Sequence, residues 1–285
     1  MIARMKTALR NGLPVLALLL FGPLAALPVA GLRASDGSQD TTLLVGTSPI
    51  GGLIALVIGA VLAVVIGAFA ARTLDLLRAM SIAGLTLAWP AIRTGDMRDI
   101  LQRTGGGAIP LVLVEAILVA VVGLACFAVI RSFHTKKTSV RDIVTLVTPK
   151  NTLILVGAGT VGALIGSLVV AFDALPGQAL LAAILGGAAA GAVVPLLASS
   201  IGAKDDIALA FAATLVAGVI APVVMLVYPG LGGAADAARA HAIVGPLAVQ
   251  PLMWLSGAFV GAPIGWGWAG ATSSQINASP TVASS

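Results

Sequence analysis

The segment LILVGAGTVGALIGSLVVAFD, residues 153–173, is compatible with two different folds. Gly157, Gly159 and Gly162 have the G-x-G-x-x-G spacing that follows the first strand of dinucleotide-binding domains. In such a domain the helix after the glycines needs a polar face, yet Asp173 is the only charged residue between positions 163 and 199. The segment therefore predicts a helix packed in lipid and not a nucleotide-binding site.

The amino-acid composition extends this interpretation to the whole chain. Of its 285 residues, 59% are hydrophobic and 9% are charged, against about 25% charged residues in an ordinary soluble domain. A helix of about 20 apolar residues crosses a hydrocarbon core of about 30 Å, and its backbone satisfies its own hydrogen bonds there. We therefore expect an all-α integral membrane protein, a polytopic bundle of seven or eight transmembrane helices.

Eight segments are candidates for these spans, and they form a single domain over residues 1–268. One of them, 74–92, carries Asp75 and Arg78, which can pair on one helical face near its end. Its uncharged part is short, so it is either a short span or a helix lying in the interface. The candidate spans are 13–32, 48–71, 74–92, 108–130, 151–172, 177–198, 207–228 and 242–268.

Prolines and the C-terminal tail refine this picture. Several spans are expected to be kinked or broken by proline or glycine, since neighbouring helices can satisfy the carbonyls that proline frees. The tail, residues 269–285, is rich in Ser, Thr and Ala and is predicted to be disordered. The prolines within or near the apolar runs are Pro195, Pro222, Pro246, Pro251 and Pro263.

The distribution of basic residues favours eight spans. Short cytoplasmic loops carry an excess of Lys and Arg. With the N-terminus inside, seven spans divide the 16 basic residues 9 to 7, whereas eight spans divide them 11 to 5. The eight-span topology places the basic loop 131–150 and both termini in the cytoplasm.

The N-terminal segment has a second interpretation. A basic start followed by an apolar run also occurs in secretory signal peptides, which would be cleaved near residue 31. The run is longer than a usual signal sequence, and no clean A-x-A site follows it, which favours a retained first span. We expect a multi-pass protein of the cell (inner) membrane, with a cytoplasmic N-terminus unless this run is removed.

Two sets of small residues predict close helix contacts. Ala158, Gly162 and Gly166 recur every four residues on one face, and so do Gly257, Gly261 and Gly265. Such stripes allow a neighbouring backbone to approach closely in a membrane. The second stripe is expected to pack inside the bundle, with a partner protein as the alternative.

No motif predicts catalysis or a cofactor. The only histidines are His134 and His241, and the single cysteine, Cys126, lies within an apolar run. These residues form no metal-ligand spacing, and no nucleophile motif is present. We predict no catalytic residues, no metal and no cofactor. The scarcity of aromatic residues, 4% of the chain, also argues against nucleic-acid binding.

The candidates for an intramembrane role are Glu115, Arg103 and Gln250. Glu115 is the only glutamate, and it lies well inside the run 108–130. A carboxyl group at that depth should be protonated or paired, and Arg103 or Arg93 is the expected partner. Gln250 lies four residues before Trp254, so the two side chains either line a cavity or Gln250 forms a helix–helix hydrogen bond.

The sequence leaves three classes of function open. The first is a non-catalytic membrane component whose role is packing, assembly or binding of a membrane-protein partner or of a second copy. The second is a small-solute or proton-coupled transporter or channel that uses Glu115. The third is an intramembrane enzyme, which would need a further ionisable residue at membrane depth. The lipid bilayer is the one partner that all three share.

Overall fold

A computed structural model of the chain describes residues 2–134, 150–170, 175–227, 230–243 and 245–278, with only the backbone described for 2–7, 231 and 271–278. These residues form helices joined by turns, and no strand occurs among them. The elements are α1 (Ile2–Leu16), a π-helical turn (Ala17–Phe21), α2 (Gly22–Ala30), α3 (Pro49–Thr73), α4 (Leu76–Arg93), α5 (Met97–Thr104), α6 (Ile109–His134), α7 (Lys150–Leu168), α8 (Pro176–Ser200), α9 (Ile207–Val227), α10 (Gly230–Arg239), a 3-10 turn (Gly245–Ala248) and α11 (Pro251–Ala278).

Six helical stretches of the described residues are long and apolar enough to cross a membrane. They are the helices α3, α6, α7, α8 and α9 and the stretch Ala8–Ala30, which combines the second part of α1 with the π-helical turn and α2. The predicted class, a multi-pass helical membrane protein, is confirmed at this level. Helices α4 and α11 are not among the six, because α4 carries two arginines and α11 is rich in glycine and tryptophan.

Each of the eight predicted segments contains a helix, but some helix boundaries differ from the prediction. The last helix begins at Pro251 and not at residue 242, because Gly245 has a φ of 61° and a 3-10 turn precedes the helix. It continues to Ala278, into the tail for which the sequence predicts disorder, since no proline follows until Pro280. The described part of the chain does not include residues 279–285 or 135–149. The predicted cytoplasmic location of the basic loop therefore falls outside it.

Side-chain caps explain where three of the helices begin. The Ser48 hydroxyl accepts a hydrogen bond from the backbone N–H of Gly51 at the start of α3. The Asp75 carboxylate accepts one from Arg78 at the start of α4, and it also pairs with the Arg78 guanidinium, as predicted, at 3.3 Å. Asp96 caps α5 in the same way. These caps satisfy amide groups that the first helical turn leaves free.

The loops gather at two opposite ends of the bundle. At one end, which we call the Arg103 end, the Gly95 N–H donates to the Thr41 carbonyl at 2.9 Å. At the same end, α5 contacts α10. At the other, the Arg131 end, the guanidinium of Arg131 binds the carboxylate of Asp206 with two bonds of 2.7 Å. Helices α3, α4, α6, α7, α8, α9 and α11 all run between these two ends.

Helix α11 occupies the centre of the bundle. Its residues Gly257, Gly261 and Gly265 face the backbone of α8, where a β-carbon would overlap a carbonyl oxygen at each position. On α8, Gly187 and Gly191 likewise face the carbonyls of α11. The two backbones therefore touch along about two helical turns, an approach that only glycine permits.

The opposite side of α11 packs against α4. The Ser256 hydroxyl donates to the Gly84 carbonyl at 3.0 Å. A β-carbon at Gly84 would meet the side chains of Phe259 and Val260. Helix α11 is therefore enclosed between α8 and α4.

The glycines of the 153–173 segment lie within α7, and the residues before them are helical as well. Gly157 faces open space, whereas Gly159 lies against side chains of α8 and α9. Residues 150–168 are helical throughout, so no strand leads into these glycines, and the strand–turn–helix arrangement that would hold a pyrophosphate is not formed at them.

The stripe on α7 faces α8. A β-carbon at Gly162 would lie 3.1 Å from the Val193 side chain, and one at Gly166 would lie 2.7 Å from the Ala189 side chain. Ala158, the third member of the stripe, is half-buried. Helix α8 is thus held between the glycine faces of α7 and α11.

Candidate functional site

Glu115 is fully buried in the first two turns of α6. Its Oε2 atom accepts a hydrogen bond from the Thr42 hydroxyl at 2.5 Å and another from the Leu44 backbone N–H at 2.9 Å. Its Oε1 atom has no hydrogen-bond partner. The carboxyl group is therefore attached to the segment between α2 and α3 through one of its two oxygens.

The segment that Glu115 holds is folded tightly over the end of the bundle. Thr42 is buried, and its hydroxyl also accepts the backbone N–H of Val45 at 3.1 Å. Leu43 is 2% exposed. Its carbonyl lies where a β-carbon of Gly52 would be, so the segment rests directly on the backbone of α3. Thr42 and Leu44 consequently present their donors to Glu115 in a fixed geometry.

Arg103 does not pair with Glu115, in contrast to the prediction. Its guanidinium binds the Asp36 carboxylate at 2.8 Å and the Asp40 carbonyl at 2.7 Å, with the Asp40 carboxylate 3.8 Å away. Hydrogen bonding to the backbone N–H and the side chain of Ser38, together with the charge of Arg103, lowers the pKa of Asp36. These carboxylates are partly exposed to solvent. Placing the Arg103 guanidinium beside them costs less desolvation free energy than placing it beside the buried Glu115.

Arg93, the other expected partner of Glu115, also lies elsewhere. Its side chain lines a groove with Trp89 and Asp40 at the Arg103 end. Glu115 therefore has a hydroxyl and a backbone amide as partners, where the sequence predicted a cation.

Gln250 is buried immediately before α11. Its Nε2 atom donates to the Gly95 carbonyl at 2.5 Å, whereas its Oε1 atom has no partner. The bond joins the start of α11 to the turn after α4. Because the Gly95 N–H binds Thr41, next to Thr42, Gln250 and Glu115 belong to one buried polar network.

Trp254, one turn after Gln250, packs against neighbouring helices and its indole forms no hydrogen bond with a described residue. The indole is 1% exposed and lies against Gly218 of α9 and Gly186 of α8. Its Nε1 atom is without a partner. Trp254 therefore fills space between three helices and acts as a packing residue.

The Arg131–Asp206 pair was not predicted. The Asp206 side chain, just before α9, is only 20% exposed and binds Arg131 through both carboxylate oxygens. Fork-to-fork pairing of this kind is a strong ion-pair geometry. The sequence did contain a signal for this pair, because Arg131 ends one apolar run and Asp206 precedes another.

Among the described residues, no group of three or more His, Cys, Asp and Glu side chains is placed to bind a metal ion. Cys126 is a buried free thiol, and it packs in the main hydrophobic core. The network of Glu115, Thr42, Gly95 and Gln250 is therefore the candidate site considered below.

No family model matches the chain, and neither a curated protein nor a solved structure is significantly similar to it. The functional argument therefore rests on the geometry described above.

Proposed function

We propose that the chain is a non-catalytic component of the cell (inner) membrane whose role is helix packing and assembly with a membrane-protein partner or with a second copy of itself. One observation carries this proposal: Glu115 holds the segment between α2 and α3 through Thr42 and Leu44. The single carboxylate buried within a described span thereby has a structural use. The proposal includes no bound nucleotide, nucleic acid or cofactor.

Tight packing of the helices supports the same proposal. The backbones of α8 and α11 are in contact, and Trp254 fills the junction of α8, α9 and α11. Backbone contact of this kind resists the rocking of one half of a bundle against the other that alternating access requires. A rigid bundle is suited to presenting fixed surfaces to a partner.

We further propose that α4 and α11 cross the bilayer, giving eight spans. Helix α4 starts at the Arg131 end and finishes beside Asp40 at the Arg103 end. Its 18 residues extend about 27 Å at 1.5 Å per residue. Gln250 lies at the Arg103 end and α11 runs from there toward the Arg131 end, which supports a span for that helix too.

Charge supports a cytoplasmic Arg131 end. At the Arg103 end, five described arginines are matched by five aspartates. Among the residues at the Arg131 end whose side chains are described, six basic ones exceed three acidic ones, as expected for the cytoplasmic side. The basic residues in this count are Arg10, Arg72, Arg78, Arg131, Lys150 and Lys204, and the acidic ones are Asp75, Asp205 and Asp206.

A second candidate function is proton-coupled transport through Glu115. The observation in its favour is the Oε1 atom, which is buried and has no partner. An intramembrane carboxyl group with a free oxygen resembles the proton-carrying groups of pumps and transporters. Transport would require the segment at Thr42 to release Glu115 during each cycle.

The two functions are distinguished by measuring mass and proton flux on the same preparation. The protein is extracted from its native membrane in a mild detergent, and its molar mass is measured by light scattering after correction for detergent. Assembly predicts a particle heavier than one chain. Proteoliposomes under a potassium-diffusion potential should show no proton uptake above that of empty vesicles.

Glu115→Gln is the test variant in the flux assay, and Asp205→Asn, at an exposed position, is the matched control. A monomeric particle together with proton uptake that Glu115→Gln abolishes and Asp205→Asn preserves would replace the assembly proposal with transport. A heavy particle without flux in either variant supports assembly.

A further inference from the structure

A groove opens beside α4 at the Arg103 end, and its lining includes Gly95, the residue whose carbonyl binds Gln250. It measures about 490 Å³, within the usual range of ligand sites. Leu18 of the π-helical turn, Ile92 of α4 and Pro176 at the start of α8 contribute to its walls. The groove therefore lies between the first span and α8, with α4 behind it.

One part of the groove lining is apolar and consists of Leu18, Trp89 and Ile92. Trp89 is half-buried, and its indole packs on Gly22, where a β-carbon would collide with the ring. Leu18 and Ile92 are 40% and 44% exposed. Tryptophan is enriched at the level of the lipid headgroups, so an acyl chain next to Trp89 would have its headgroup beside the end of α4.

The mouth of the groove carries one charge of each sign. Arg93 lies one helical turn after Trp89 and is exposed, and its guanidinium has no hydrogen-bond or ion-pair partner among the described residues. Asp40 lies across the mouth with its side chain 35% exposed, and its carboxylate is 3.8 Å from Arg103. Gln39 adds an amide to the same rim.

This pattern matches a headgroup that carries both an anion and a primary ammonium. A guanidinium binds phosphate with two parallel hydrogen bonds, and a carboxylate accepts hydrogen bonds from an ammonium group. A headgroup with a phosphate alone would place an anion opposite the Asp40 carboxylate without offering it a cation. A quaternary ammonium has no N–H to donate to a carboxylate.

We propose that this groove binds one molecule of a phosphatidylethanolamine-type lipid, with its phosphate on Arg93, its ammonium on Asp40 and an acyl chain along Leu18, Trp89 and Ile92. The lipid would fill the gap between the first span and α8, and would join them at the Arg103 end. The inference depends on the membrane location of the chain and is independent of the role of Glu115.

The test uses the full chain reconstituted in phosphatidylcholine vesicles that contain a small fraction of a phosphatidylethanolamine with a photoactivatable acyl chain. After illumination, labelled peptides are identified by mass spectrometry, and unlabelled phosphatidylethanolamine, phosphatidylglycerol and phosphatidylcholine compete in separate samples. We expect labelling of the peptides that contain Leu18 or Ile92, with phosphatidylethanolamine as the best competitor.

Two variants and one control complete the test. Arg93→Gln should reduce labelling about tenfold, because a charge-assisted hydrogen bond is lost. Ile92→Trp, at a position with room for a larger side chain, should block the groove without removing charge. Arg239→Gln removes a positive charge from the same end outside the groove, and labelling should stay unchanged.

Each alternative outcome overturns a defined part of the proposal. Equal labelling of the wild type, Arg93→Gln and Ile92→Trp would mean that the groove holds no lipid selectively. Equal competition by phosphatidylglycerol would contradict the assignment of the ammonium to Asp40. If Arg93→Gln fails to fold, Ile92→Trp still tests the proposal, because it blocks the groove and leaves all charges in place.

Discussion

Buried carboxyl groups are stable when donors meet them at fixed positions, and Glu115 obtains its donors from a loop far away in the sequence. We predict that Glu115→Gln keeps nearly wild-type stability, because the amide oxygen can accept the bonds from Thr42 and Leu44. Glu115→Ala should cost about 2–4 kcal/mol, since it leaves two buried donors unpaired. Thermal unfolding in detergent measures both effects.

The matched control for this prediction is Thr42→Val, which removes one donor and preserves the shape of the side chain. If the bond from Thr42 to Glu115 stabilises the fold, Thr42→Val should cost less in the Glu115→Ala background than in the wild type. Additive effects would show that Glu115 does not hold the segment through Thr42.

Asp96 permits a prediction about pH. Burial raises the pKa of this carboxyl above its ordinary value of 3.8. The folded protein then binds the proton more tightly than the unfolded chain does, so stability falls as the pH rises from about 3.8 through the raised pKa. In Asp96→Asn the amide oxygen can still cap α5 at Arg98, and this loss should be absent.

The measurement is the unfolding temperature of the wild type and of Asp96→Asn between pH 4 and pH 7. The variant should gain stability over the wild type as the pH increases across this range. Asp205→Asn, at an exposed position, is the control for an exchange of aspartate for asparagine. If instead the wild type became more stable relative to Asp96→Asn as the pH rises, burial would not be the dominant influence on the pKa of Asp96.

At the residue scale, the sequence identified Glu115 and Gln250 but not their partners. A lone glutamate in an apolar run is visible in the sequence, because its cost in lipid depends on residue type and depth. Its partner Leu44 acts through a backbone N–H, which every residue except proline possesses. The Arg131–Asp206 pair joins residues 75 positions apart, and neither residue is unusual where it stands.

At the scale of elements, glycine position decides which helices touch. We predict that Gly261→Ala destabilises the protein by about 1–3 kcal/mol, because its β-carbon would overlap the Ile184 carbonyl of α8. Gly267, on the same helix, has no atom within 4 Å of an added β-carbon. Gly267→Ala should therefore be neutral or stabilising by up to about 1 kcal/mol.

Comparing the two variants separates helix propensity from packing, since both exchange glycine for alanine within α11. Their unfolding temperatures in the same detergent provide the measurement. Similar unfolding temperatures for Gly261→Ala and Gly267→Ala would mean that α11 does not contact α8 through its glycine stripe.

Spacing in the sequence indicated which faces of α7 and α11 are small, but it did not identify the facing helix. Both stripes contact α8, whose own composition is so rich in Ala and Gly that almost every face qualifies. The choice among these faces depends on which side chains interdigitate in three dimensions. The helix class and the approximate segments followed from apolar length, which is a property of each segment alone.

For the whole molecule, we predict that the Arg103 end faces the outside of the cell and the Arg131 end the cytoplasm. In a Cys126→Ala background, Ser35→Cys and Ser200→Cys place single exposed thiols at the two ends. An impermeant maleimide should label Ser35→Cys in intact cells. It should label Ser200→Cys only after the membrane is permeabilised.

The reverse labelling pattern would invert the orientation and contradict the charge argument. Labelling of both positions from outside would mean that the segment between them crosses the membrane an even number of times. It would thereby rule out the eight-span topology.

The central position of α11 has a consequence for biosynthesis. The helix that provides the middle of the bundle is the last one of the described chain to emerge from the ribosome. Until residues 251–278 are inserted, the glycine face of α8 and the surface of α4 around Gly84 lack their native neighbour. The bundle can therefore close only after the preceding helices are already in the bilayer, and a nascent chain that stops before Pro251 exposes those faces to membrane chaperones and proteases.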